Sequence, residues 1–83
     1  MRFVVKVEVG LKPGHSDPEG ETTMESLVEL GYQIETVKVS KSYELLLVAS
    51  SLREAEKQVE EICRRLLANP VKDNYEVQIE EVE

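Results

Sequence analysis

His15, Ser16 and Asp17 stand side by side in the first polar stretch of the chain, and together they hold the residue types of a base, a nucleophile and an orienting acid. Adjacent residues in a loop do not form the nucleophile–base–orienter line, because such lines are assembled in space from separated positions. Asp17 has a simpler role: with Pro18 and Glu19 after it, it reads as the N-cap of a helix that starts on proline. The same stretch offers Lys12 and His15 to a phosphoryl group, but no arginine, and the Asp17 carboxylate would repel an anion. Gly14 and Gly20 lack the spacing of a phosphate-binding loop. Cys63 falls on the apolar stripe of a later helix, where a thiol behaves as a small buried hydrophobe. One histidine and one cysteine leave neither a His/Cys zinc cluster nor an internal disulfide. The residues point to no stand-alone catalyst and to no catalytic, cofactor-binding or metal-ligating set.

Composition narrows the partners. The chain has 83 residues, enough for a single domain spanning 1–83, and carries a net charge of −7. An acidic surface repels nucleic acid and anionic lipid. With four aromatics, Phe3, Tyr32, Tyr43 and Tyr75, there is also little to stack bases on. The longest apolar run, Leu45 to Ala49, is far short of the roughly 20 residues that cross a bilayer. Lys6 and Glu8 interrupt any secretory signal, so a cytoplasmic location is expected.

The elements that would position these residues follow from periodicity. Phe3, Val5, Val7, Val9 and Leu11 alternate with polar residues and predict a half-buried strand. Pro18 to Leu30 predicts a helix, with Met24, Leu27, Val28 and Leu30 on its apolar stripe and Gly31 at its C-terminal cap. Ile34 to Ser40 predicts a second strand, Lys41-Ser42 a turn, and Tyr43 to Ala49 a third strand completing a hairpin. Ser51 and Glu54 form a capping box that opens a second helix. Its apolar stripe runs Leu52, Ala55, Val59, Ile62, Cys63, Leu66 and Leu67, Glu60/Arg64 and Glu61/Arg65 lie on its wet side, and Pro70 ends it. Tyr75, Val77 and Ile79 give a fourth strand. The order β-α-β-β-α-β predicts an α+β, ferredoxin-like fold: a four-stranded antiparallel sheet with two helices on one face.

Such a sheet leaves its other face open. With Tyr43, Leu45, Leu47 and Ala49 serving the helix side, Leu46 and Val48 point to the open side, where Val4 joins them. A solvated antiparallel face alternates more cleanly than this. The pattern predicts self-association through the sheet, which would also supplement a small core.

Several phrases of the sequence resemble one family. Leu11-Lys12-Pro13-Gly14 followed by Asp17-Pro18-Glu19-Gly20, then Leu30-Gly31-Tyr32, Val37-Lys38-Val39, Tyr43-Glu44-Leu45 and Leu66-Leu67-Ala68-Asn69-Pro70-Val71 before Tyr75-Glu76-Val77, are similar in order and spacing to the small PurS subunit of phosphoribosylformylglycinamidine (FGAM) synthase. Ser42, between Lys41 and Tyr43, is a departure at a position that carries little weight. The resemblance implies a non-catalytic subunit of purine biosynthesis, itself a dimer or tetramer. It would bridge a glutaminase subunit and a large ATP-dependent synthetase subunit and assist ammonia transfer between them. ATP and Mg would belong to the complex, with no cofactor in this chain. Partner contacts are expected at the family-like positions Lys12, His15, Asp17, Lys41, Tyr43 and Asn69, and oligomer contacts at Val4, Leu46 and Val48. The alternative is an ACT-like regulatory domain, which shares the expected topology, pairs through its sheet and binds a small metabolite near the first loop.

Overall fold

A computed structural model describes residues 1–82. The elements run β1 (Arg2–Leu11), α1 (Pro18–Glu29), β2 (Lys41–Val48), α2 (Leu52–Ile62), a π-helical turn (Cys63–Leu67) and β3 (Asp73–Val82). The sheet has three strands in the order β2-β1-β3, both neighbours antiparallel to β1. This corrects the expected four-stranded ferredoxin-like sheet in two respects. Residues 34–40 form no strand, with a bend at Glu35, and Lys41 and Ser42, expected as a turn, already belong to β2. The physical reason lies partly in the pattern: Ile34 stands three residues before Val37, so only Val37 and Val39 share a period of two. With Lys41 and Ser42 inside β2, paired to Val9 and Glu8, no turn is left to fold 34–40 back along the outer edge of β2.

The central strand makes the core. Phe3, Val5 and Val7 are fully buried and Val9 nearly so, beneath Ala55 and Val59 of α2, Cys63 of the π turn and Ala68 after it. Tyr43, Leu45 and Leu47 from β2 and Tyr75, Val77 and Ile79 from β3 are half-buried around that cluster. The Ser51 hydroxyl accepts the Glu54 amide at 3.1 Å, as the capping box requires, while the Glu54 carboxylate accepts from Gln58 instead of closing the box. Of the two expected ion pairs on the wet side, Arg64 Nε lies 3.7 Å from Glu60 Oε1.

The π turn changes which residues face inward. The Ala68 amide reaches back five residues to the Cys63 carbonyl at 2.9 Å. One extra residue in that turn carries the buried stripe from Ala55, Val59 and Cys63 to Ala68, in steps of four, four and five. Leu66, placed on the stripe by a uniform helical period, therefore swings out and is 82% exposed.

The second correction concerns α1, which does not lie on the sheet. Gly20 is its single buried residue; Met24 and Leu27 are half-buried, and Val28 and Leu30 are exposed. The molecule extends 52 × 28 × 14 Å and has a radius of gyration of 16.5 Å, against about 12 Å for a compact chain of this length. A ten-residue strand spans about 33 Å and a twelve-residue helix about 18 Å, so strand and helix set end to end account for the long axis. The helix ends in a left-handed glycine cap. Gly31 has φ of +99°, its amide bonds the Val28 carbonyl at 3.0 Å, and the Tyr32 amide bonds the Leu27 carbonyl at 3.2 Å. The chain then returns through 33–40 to begin β2.

Candidate functional site

The two loops flanking the sheet's far end are tied together by Lys12. Its ammonium donates to the Pro70 carbonyl at 2.9 Å and its amide to the Lys72 carbonyl at 2.7 Å. Asn69 builds the loop it grips: its side-chain oxygen accepts from the Val71 amide at 2.9 Å, and its own amide donates to Asp73 Oδ2 at 2.8 Å. Lys12 and Asn69, named separately from sequence, thus belong to one loop cluster at the start of β3.

Asp17 does more than cap. Its Oδ1 accepts from the Gly20 amide at 3.0 Å, the N-cap bond read from sequence, and its Oδ2 accepts from the Val39 amide at 2.9 Å. The two amide bonds, Val39 first, hold its carboxyl below the usual carboxylate range. That second bond lies 22 residues away and was invisible to local spacing.

His15 is exposed, its amide bonded to the Lys12 carbonyl at 3.4 Å. Lys41 is exposed opposite Val9, and Tyr43 is half-buried opposite Val7 against the core. A cleft of about 560 Å³ lies beside the first loop, bordered by Lys12, His15, Asp17, Glu21, Lys38 and Ser40. The structure therefore brings Lys12, His15 and Asp17 to one cleft, and leaves Lys41, Tyr43 and Asn69 off its walls. The cleft mixes charges of both signs, with Glu8 also at its border. Among the described residues, no group of three or more His, Cys, Asp and Glu is placed to hold a metal. Among the described residues no helix is long and apolar enough to cross a membrane. Cys63 is buried and its thiol is pushed up, first by burial and then by the charge of Glu60.

The open sheet face carries the apolar residues expected of it. Val4 stands directly opposite Leu46, and Arg2 lies between Val48 on one side and Val82 on the other. Leu46 is 57% and Val48 70% exposed. Val82 extends this cluster, sharing the parity of Glu76, Gln78 and Glu80 on β3. The other half of the face is polar, with Lys6 between Glu44 and Gln78. A second apolar surface was missed because α1 was expected on the sheet: Val28, Leu30 and Tyr32 at the tip of the arm are 50%, 73% and 60% exposed. Their spacing was legible, but their exposure depends on where the helix is docked.

Known proteins match this arrangement along nearly the whole chain. The family model described as phosphoribosylformylglycinamidine (FGAM) synthase, PurS, matches residues 4–81. The PurS subunit of Methanothermobacter thermautotrophicus is 39% identical over 83 residues, covering 100% of this chain and 99% of the relative. That of Bacillus subtilis is 36% identical over 81 residues, covering 96% and 95%. A chain in the solved structure of PurLQS from Thermotoga maritima superposes with a TM-score of 0.86 at 31% identity, covering 96% of this chain and 99% of that one. The chain belongs to the PurS family, the small subunit of FGAM synthase in purine biosynthesis.

Proposed function

We propose that this chain is a cytoplasmic, non-catalytic connector within FGAM synthase, joining the glutaminase and ATP-dependent synthetase subunits and assisting ammonia transfer between them. ATP and Mg serve the synthetase subunit in this reading, and this chain supplies surfaces. The observation that carries it is the α1 arm, whose apolar tip stands clear of its own sheet. A chain that already had a free core site for α1 would gain by burying Val28, Leu30 and Tyr32 itself; a connector presents them. The likeness to a component of PurLQS supports the same reading. Proximity is the physical rationale: ammonia released into water is diluted and protonated before it meets its acceptor.

Self-association belongs to the proposal as well. The Val4, Leu46 and Val48 cluster and the arm tip are two apolar surfaces for a dimer or tetramer. Of the partner-contact candidates, His15 and Lys41 are free in the surface, whereas Lys12, Asp17, Tyr43 and Asn69 also have roles inside the fold. The ACT-like alternative rested on a four-stranded sheet, and the three-stranded sheet and the family assignment displace it.

The experiment is reconstitution of the three-component enzyme with and without this chain. Omitting it is expected to abolish glutamine-dependent formation of the amidine while activity with added ammonium salt persists. His15→Ala and Lys41→Glu are expected to weaken assembly. Equal glutamine-dependent activity without the chain would overturn the connector reading.

A further inference from the structure

The arm begins after β1 and ends before β2, and its two ends meet at one side chain. Asp17 Oδ1 holds the Gly20 amide at the start of α1, and Oδ2 holds the Val39 amide on the returning segment. We propose that Asp17 is the latch that closes the base of the arm and fixes the direction in which α1 leaves the sheet.

Two further observations support this. A Cβ at Gly20 would lie 2.5 Å from the Val37 carbonyl oxygen and 2.6 Å from Asp17 Oδ2, so the returning segment runs against the helix start with no room for a side chain. Residues 36–38 beside it belong to no helix or strand, and among the described residues no hydrogen bond ties their amides to α1. The Val39 bond is therefore what fastens the return. An arm joined to the sheet by two unlatched segments would swing at its base; one whose start and return share a carboxylate leaves as a single body.

The chemistry also explains the residue types. Aspartate offers two acceptor oxygens on a short stem, one for each amide. Asparagine offers a single acceptor and remains a good helix cap. Its side chain can keep the Gly20 bond but not both.

The test is amide hydrogen exchange read by NMR on the whole chain, with Asp17→Asn and Gly20→Ala as variants. Asp17→Asn is expected to speed exchange at Val39 by about tenfold or more, the scale of losing a hydrogen bond to a charged acceptor, while Gly20 keeps its protection. Gly20→Ala keeps the aspartate but forces the Val37 carbonyl and the Asp17 carboxylate apart from the helix start, and is expected to speed Val39 as well. Slow exchange at Val5 and Val77 in both variants shows that the sheet still folds. Relaxation of the α1 amides should show added independent motion in each variant. Unchanged exchange at Val39 in both folded variants would overturn the latch, whatever the fate of the assembled enzyme.

Discussion

The Tyr75 hydroxyl donates to Glu60 Oε1 at 2.7 Å, fastening β3 to α2 across the rim of the core. The bond to Glu60, then partial burial, hold the phenol above its ordinary value. The Tyr75 phenol should therefore ionise above the ordinary phenol range in an ultraviolet pH titration. Glu60→Gln should bring that transition back toward the ordinary range. Tyr75→Phe should remove it and cost no more than about 1 kcal/mol, because the pair sits at the surface.

The π turn makes a sharper stability prediction. Val59 is 1% exposed and Leu66 is 82% exposed, although both fit one apolar stripe at a uniform helical period. Val59→Ala should destabilise the chain by about 2 kcal/mol, from lost burial plus the cavity left behind. Leu66→Ala should fall within about 0.5 kcal/mol of the parent. Urea unfolding at constant slope reads both; similar costs at the two sites would mean that the helix continues without its extra residue.

That contrast shows where local pattern suffices. The alternation in Phe3–Val9, the caps at Asp17 and Ser51, and the glycine stop at Gly31 are short-range features, and each is found where the residues predict it. What failed needed long-range information. Ile34–Ser40 has strand-like residues but pairs with no strand, and a strand exists only through its partner. Whether α1 covers its own sheet depends on the direction of the Asp17 loop, set by a bond to Val39 that no spacing rule reports. The site residues were legible one at a time, as loop, cap and strand positions. That Lys12 and Asn69 share a cluster became apparent only from the fold.

Cys63 supplies a pH-dependent prediction. Burial raises its thiol pKa in the folded chain, so the native state binds the proton more tightly than the unfolded state does. The stabilisation is fully present below the ordinary thiol value and is lost as pH rises through the higher native one. Stability should thus decline with pH above about 8.5, the ordinary thiol value, and Cys63→Ala should flatten that slope. The comparison uses the slope because the substitution also alters packing. Native protein should react slowly with a thiol reagent at neutral pH and give one fast equivalent in urea.

The last prediction separates the two surfaces proposed for self-association. Leu45 and Leu46 are neighbours on opposite faces of β2: Leu45 packs toward the core, and Leu46 lies open opposite Val4. Leu45→Lys should unfold the domain, because it drives a charge into the helix-covered face. Leu46→Lys should leave the fold intact and lower the mass measured by sedimentation equilibrium, if the open sheet face holds copies together. Leu30→Lys, at the tip of the arm, probes the other surface without touching the sheet. A mass lowered by Leu30→Lys and unchanged by Leu46→Lys would move the contact to the arm and remove Val4, Leu46 and Val48 from the oligomer interface. The opposite result would leave the arm tip free for the other subunits, since apolar surface buried between copies is no longer available to a different partner.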